Sequence, residues 1–224
     1  MDRVTNVCCK SLVKLSMKNE PRSKQQNAFA GAASVFREHG GALRTMDAVR
    51  HGVHPRTLYA MRDAGLLEQL GRGVYRLADL PPLGNPDLVT VALRVPEGVL
   101  CLISALAFHE LATQIPHEVY VALKRGGEPP RLDHPPVRVF WFTGKAFTEG
   151  IETHVLDGVN VRVYGAAKTV GDCFKYRNKL GLDTAIESLK LFLKENRGSP
   201  DDLVRFARVC RVEKVMRPYI EALL

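Results

Sequence analysis

After a mixed polar and basic segment at residues 1–23, apolar side chains recur with the period of a helix. Residues 1–23 show no clean period and end in the break Pro21-Arg22-Ser23, so we predict a tail there. Over residues 23–39, apolar or small side chains return every three or four positions, and Gly40-Gly41 follows. This pattern predicts a helix with one buried face that stops at the glycine pair.

The next segment predicts two short helices separated by a glycine turn. Thr45 can cap a helix over residues 46–50, which His51-Gly52 closes. Pro55 suits the first turn of a second helix that runs to Ala64. Two short helices joined in this way are typical of a helix-turn-helix.

A short hairpin is predicted immediately afterwards. Leucines precede and Val74, Tyr75 and Leu77 follow the sequence Gly71-Arg72-Gly73, which indicates two strands around a glycine-rich tip. A hairpin in this place is a wing. The proline-rich residues 81–86 suit neither a helix interior nor a central strand, and we predict a linker there.

The longer second part predicts a sheet followed by helices. Helices are expected over residues 86–94, capped by Asn85, and 104–111, after an apolar run at 99–103. Strands are expected over residues 117–123, 137–142, 151–155 and 159–164, the last two joined by an Asp157-Gly158 hairpin turn. Further helices are expected over residues 166–178, 184–196, 200–210 with Ser199 as cap, and 212–223 with a kink or restart at Pro218.

The predicted fold class is therefore α+β in two domains. A tail at 1–23 precedes a winged helix-turn-helix DNA-binding domain at 24–80, a linker at 81–86 and a C-terminal α+β domain at 87–224. The C-terminal domain is expected to have a small, mostly antiparallel sheet and C-terminal helices. A chain of 224 residues can supply two independent cores without disulfides.

The positive charge is concentrated in the first third of the chain. Residues 1–80 carry 13 Lys or Arg and 7 Asp or Glu, a net charge of +6, while residues 81–224 carry 19 and 17, a net charge of +2. A basic segment on a near-neutral body indicates a polyanion partner, because neutralising phosphates releases counterions. Solubility alone is the alternative explanation.

Helical geometry divides the second helix of the motif into two faces. Leu58 and Met61 share one face, while Arg56 and Tyr59 lie on the other, where an Arg near the helix start can read guanine in the major groove. Arg72 at the wing tip suits the minor groove or the DNA backbone, and the remaining basic residues can hold phosphates. The candidate DNA-binding residues are Arg44, Arg50, His54, Arg56, Thr57, Tyr59, Arg72 and Arg76.

Other chemistries have weak support in the sequence. No Asp or Glu is followed two positions later by Lys, so the carboxylate-x-lysine pattern of a common nuclease core is missing. Gly198-Ser199 before Asp201-Asp202 resembles a nucleotidyltransferase signature, but Pro200 favours a helix start. We therefore expect no enzyme activity and no catalytic residues.

Cofactors, metals and membranes are not expected either. The five cysteines form no C-x-x-C pair, and His51 and His54 have no cysteine near them, so we predict no metal and no cofactor. No apolar run approaches the roughly 20 residues of a membrane helix. We predict a cytoplasmic protein without a membrane partner.

These motifs together resemble AbiEi-type antitoxins of abortive-infection, type IV toxin-antitoxin systems. The N-terminal resemblance rests on residues 52–59, Gly65-Leu66-Leu67 and residues 71–77. The C-terminal resemblance rests on Ser104-Ala105-Leu106 with His109 and Leu111, the Asp157-Gly158 hairpin, and residues 166–172. Members of the family often have Arg where this chain has Lys168.

The resemblance implies a winged helix-turn-helix repressor of its own operon that also counteracts a nucleotidyltransferase-like toxin encoded beside it. Its partners are then double-stranded operator DNA and, functionally, the cognate toxin, with direct contact left open. The alternative is a transcriptional regulator whose second domain senses a ligand or partner unrelated to a toxin.

Overall fold

The computed structural model describes residues 20–114 and 116–223, so residues 1–19 of the tail predicted for residues 1–23 lie outside the described residues. The N-terminal part contains three helices and three strands. They are α1 (Glu20–Glu38), β1 (Ala42–Arg44), α2 (Thr45–Arg50), α3 (Pro55–Asp63), β2 (Leu67–Gly71) and β3 (Val74–Leu77). Helix α1 begins before the predicted residue 23, because a proline in a first turn lacks only an N–H that has no helical partner there.

The N-terminal sheet is antiparallel with strand order β1-β3-β2, which includes a strand that the sequence analysis did not assign. Strand β1 has three residues, too few for an alternating pattern, and it pairs Ala42 with Arg76. Helices α1 and α3 pack on this sheet through Phe36, Leu58 and Met61, which are almost fully buried. This order of helices and strands is that of a winged helix-turn-helix, as predicted.

The C-terminal part contains five strands and eight helices among the described residues. They are α4 (Pro86–Arg94), β4 (Val99–Leu100), α5 (Leu102–Phe108), β5 (Val119–Lys124), β6 (Val137–Phe142), α6 (Lys145–Thr148), β7 (Ile151–Leu156), β8 (Val159–Tyr164), α7 (Ala166–Lys175), α8 (Arg177–Leu180), α9 (Leu182–Lys194), α10 (Pro200–Cys210) and α11 (Glu213–Glu221). The fold class is α+β, as predicted.

The C-terminal sheet is mixed, which corrects the prediction of a mostly antiparallel sheet. Its strand order is β6-β5-β4-β8-β7, with β5–β6 and β4–β8 parallel and β4–β5 and β7–β8 antiparallel. Residues 125–136 between β5 and β6 are long enough for a parallel connection. Apolar alternation marks a strand but carries no information on the direction of its neighbour.

The predicted helix caps and the prediction at Pro218 are correct only in part. Asn85 is the N-cap residue of α4, as predicted, but its side chain makes no capping hydrogen bond. Thr45 is not a cap, because it is the first residue of α2 and its hydroxyl donates to the Gly73 carbonyl. Helix α11 runs through Pro218 to Glu221, so it does not restart there, and the alternative of a kink stays a prediction. Ser199, by contrast, caps α10 as predicted and forms a capping box with Asp202.

Helix α7 is the centre of the C-terminal part. Its residues 167–174 are all buried, and α5, α9, α10 and α11 pack around it. Within this core the Lys168 ammonium pairs with the Asp172 carboxylate, which also accepts from the Cys210 thiol at 3.1 Å. Burial raises the pKa of Asp172, and the Lys168 charge opposes that rise.

The two parts pack against each other, so their cores are not independent. Ala42 of β1, Val89 of α4 and Val159 of β8 form one buried cluster. Beside it the loop after α1 meets the β7–β8 hairpin, with Gly40 and Gly158 in backbone contact. The hairpin residue Asp157 accepts from the backbone N–H of Gly84 at 3.1 Å, which ties the predicted linker to the C-terminal part.

The glycine contact generates a stability prediction. Gly158 has φ +81°, and a Cβ there would lie 2.5 Å from the Gly40 carbonyl oxygen, so Gly158→Ala adds a clash to backbone strain. Gly126→Ala is the matched control, because Gly126 has φ +96° and open space around it. We expect the control to cost about 1 kcal/mol and Gly158→Ala about 1–3 kcal/mol more. Urea unfolding of both variants measures the difference, and equal losses would contradict tight packing between the parts.

Candidate nucleic-acid interface

The turn between α2 and α3 fixes how the second helix begins. His54 is the N-cap, and its Nδ1 accepts from the Arg56 backbone N–H at 3.1 Å. Pro55 follows at the first helical position, where its fixed φ favours the helix. Val53 in the turn is buried. Helix α3 therefore leaves the turn in a defined direction with its first residues at the surface.

Helix α3 buries one face and exposes the other, as the sequence predicts. Leu58 and Met61 are buried in the N-terminal core. Arg56 is exposed, Thr57 is half-buried, and Tyr59 is 43% exposed. An α-helix with its side chains is roughly 10–12 Å across, so it fits the DNA major groove, which is roughly 12 Å wide.

Ion pairs decide which arginines of the N-terminal part are available to a ligand. Four of them are bound to a carboxylate: Arg37 to Asp79 at 2.5 Å, Arg44 to Asp47 at 2.6 Å, Arg62 to Asp63 at 2.7 Å and Arg76 to Glu68 at 2.5 Å. Arg50 is exposed and makes only a long contact of 3.5 Å with Asp47. Within residues 20–114 and 116–223, Arg56 and Arg72 make no ion pair.

The structure contradicts the prediction that Arg76 holds a phosphate. Arg76 lies in the middle of β3, is 5% exposed, and donates to Glu68 and to the Pro81 carbonyl. Because Arg76 is buried and its guanidinium already donates to two partners, it is not available to bind a phosphate. Arg44 is half-buried and gives two hydrogen bonds to Asp47, so its charge is already balanced.

The wing is short and held on both sides. The Thr45 backbone N–H donates to Gly73 at 2.9 Å, and the Arg94 guanidinium donates to the Arg72 carbonyl. The Arg72 side chain itself is exposed. The backbone of the tip is therefore anchored, while the Arg72 side chain stays accessible to solvent.

Arg94 is the residue that sequence reasoning missed. It lies in the last turn of α4, where a basic residue is explained by the helix dipole alone. Its guanidinium also donates to the Arg131 carbonyl at 2.9 Å. One side chain thus connects the wing tip with the loop between β5 and β6.

A helix-turn-helix followed by an antiparallel hairpin is the architecture of a winged helix-turn-helix domain, and the exposed Arg56 and Arg72 lie on its second helix and its tip. Residues 32–78 match the family model described as "Transcriptional regulator, AbiEi antitoxin". The match confirms the predicted AbiEi resemblance for this segment and ends at residue 78. No curated protein matches the chain.

Neither a membrane-spanning helix nor a metal-binding cluster occurs in the part of the chain that the structure describes. None of its helices is long and apolar enough to cross a membrane. It contains no group of three or more His, Cys, Asp or Glu side chains placed to hold a metal ion.

The exposed face of α3 predicts a difference between two arginines on one helix. Arg56→Ala should weaken operator binding by about 1–3 kcal/mol and relax the preference at one base position, because a base-reading Arg supplies discrimination. Arg62→Ala is the matched control and should change affinity little, since Asp63 already neutralises Arg62. Titration of operator and random duplexes measures both effects. An equal loss of affinity for the operator duplex and the random duplex would mean that Arg56 contacts the DNA backbone and not a base.

Proposed function

We propose that this protein is a DNA-binding antitoxin that represses its own operon and counteracts a nucleotidyltransferase-like toxin. Residues 24–80 bind double-stranded operator DNA, residues 81–86 are the linker, and residues 87–224 form the antitoxin domain. The protein acts in the cytoplasm without a cofactor and without catalysing a reaction itself.

One observation carries the proposal. The segment similar to AbiEi transcriptional regulators coincides with the winged helix-turn-helix, and in that segment Arg56 and Arg72 are exposed and unbalanced by any carboxylate that the structure describes. Basic side chains that have no carboxylate partner within the protein can neutralise DNA phosphates and so release counterions.

The residues then divide into two kinds of contact. Arg56 and Tyr59 approach base edges in the major groove, with Thr57 and His54 beside them at the start of α3. Arg50 and Arg72 contact phosphates on either side. Phosphate contacts set the register of the protein on DNA, and base contacts provide sequence preference.

A second candidate function assigns the C-terminal part to ligand sensing. A cavity of about 440 Å³ lies between α4 and α5, and Asp87, Ser104 and Glu110 contribute to its lining. A mixed polar and apolar cavity of this size suits a small molecule. This candidate predicts DNA binding that changes with a ligand and no rescue from a toxin.

Arg72 tests the role of the wing. Arg72→Ala should weaken specific and non-specific binding alike and lower the salt slope by roughly one unit, as for one lost phosphate contact. Arg72→Lys should restore much of the affinity unless the guanidinium enters a narrow minor groove. Arg37→Ala, which removes an arginine paired with Asp79, is the control. Binding isotherms at several salt concentrations provide the measurement, and an unchanged slope would place the wing away from DNA.

Co-expression with the neighbouring toxin tests the antitoxin assignment. The Arg56→Ala/Arg72→Ala variant, expressed from an unrelated promoter, should fail to repress the operon yet still rescue growth, because both substitutions lie outside the C-terminal part. A wild-type protein that represses but never rescues would favour the ligand-sensing candidate.

A further inference from the structure

A broad groove lies beside the wing on the C-terminal part. We call it the wing-side groove, and its volume is about 970 Å³. Its apolar lining residues include Val95, Leu123 and Phe147. Its basic lining residues are Arg94, Lys124, Arg125 and Arg131.

The wing-side groove is continuous with the wing through one side chain. The Arg94 guanidinium donates to the backbone of Arg72 at the wing tip and to the backbone of Arg131 in the loop that borders the groove. Arg72 and Arg131 therefore both lie within hydrogen-bonding reach of the same guanidinium. The proposed DNA-contacting tip and the groove rim belong to one surface.

The groove has an excess of positive charge. Lys124, Arg125 and Arg131 are exposed, and none of them forms an ion pair with a residue that the structure describes. Glu97 and Glu128 also line the groove, so its four basic residues outnumber its acidic ones. Elsewhere on the C-terminal part, several surface arginines have carboxylate partners, whereas the exposed Arg205 and Arg211 have none among the described residues. Examples of the paired arginines are Arg138 with Glu118 at 3.2 Å and Arg197 with Glu110 at 2.7 Å.

We propose that the wing-side groove binds the phosphate backbone of the same DNA duplex, beyond the point where the wing contacts it. This inference rests on the proposed DNA-binding function. Duplex DNA carries one negative charge per roughly 1.7 Å of its axis, so a basic rim that continues from the wing meets further phosphates without any base contact. An acidic protein segment would also match the charge, but continuity with the wing favours DNA.

Arg94 has a positioning role in this arrangement. Both of its terminal nitrogens donate to backbone carbonyls, so its function is to hold the wing tip against the groove rim. The C-terminal part thereby helps to set the DNA footprint of the N-terminal part.

The test compares two triple variants of the full chain that lose the same charge. The groove variant is Lys124→Ala/Arg125→Ala/Arg131→Ala. The control is Lys190→Ala/Arg205→Ala/Lys214→Ala, on helices α9, α10 and α11, where none of the three residues forms an ion pair with a described residue. Circular dichroism and thermal unfolding confirm that both variants fold.

Affinity for an operator duplex with long flanks is measured against salt concentration. We expect the groove variant to bind about tenfold to a hundredfold more weakly near 0.15 M salt and to lower the salt slope by roughly two to three units. Its hydroxyl-radical footprint should also lose protection at one edge. A shorter duplex covers only the footprint that the groove variant still protects. On this duplex, the groove variant and the wild type should have the same affinity. The control should match the wild type in both affinity and footprint.

Two results would overturn the inference. A groove variant with wild-type affinity, salt slope and footprint shows that the groove does not contact DNA. A groove variant that keeps DNA binding but loses toxin rescue assigns the groove to another partner. If the wild-type protein does not bind the operator duplex, the proposed DNA-binding function is wrong. The same titration shows this result, so it can be distinguished from a failure of the groove inference alone.

Discussion

The packing of α4 between the two parts of the chain is the constraint on which the surface of this protein depends. Val89 of α4 lies in a cluster with Ala42 and Val159, and Arg94 at the other end of the helix binds the wing tip. The apolar cluster and the Arg94 hydrogen bond both involve one helix, so α4 carries much of the contact between the winged helix-turn-helix and the C-terminal part. The relation between the recognition helix and the wing-side groove follows from this contact.

The distribution of ion pairs determines where the net positive charge is available at the surface. A formal charge of +8 suggests a generally basic protein, yet four arginines of the N-terminal part, Arg37, Arg44, Arg62 and Arg76, are matched to a carboxylate. The exposed pairs Arg37–Asp79 and Arg62–Asp63 add little stability, roughly 0–1 kcal/mol each, but they reduce the positive charge at the surface. Arg56 and Arg72 gain importance because no described carboxylate lies against them. The positions of arginines that have no described carboxylate partner therefore support the proposed DNA contacts more specifically than the net charge of the chain does.

The buried pair of Lys168 and Asp172 has a structural role. Both side chains are fully buried, and the ammonium lies 4.2 Å from the centre of the Tyr164 ring. Desolvation of two charges is costly, and it is offset here by their attraction, the aromatic contact and the Cys210 thiol. Removal of one partner leaves an uncompensated charge inside α7, so the pair fixes how the surrounding helices pack.

Elements whose signals are local could be predicted from the residues alone. Helices α4 and α10 and strands β6 and β8 have their predicted bounds, because helical period, a capping serine and the Asp157-Gly158 turn act over a few residues. The three-residue strand β1, the parallel strand pairs and the burial of Arg76 could not be predicted in this way, since each depends on a partner distant in the chain. Arg94 is the clearest case. Its place at a helix end is readable from sequence, but its bond to the wing exists only because two parts of the chain pack together.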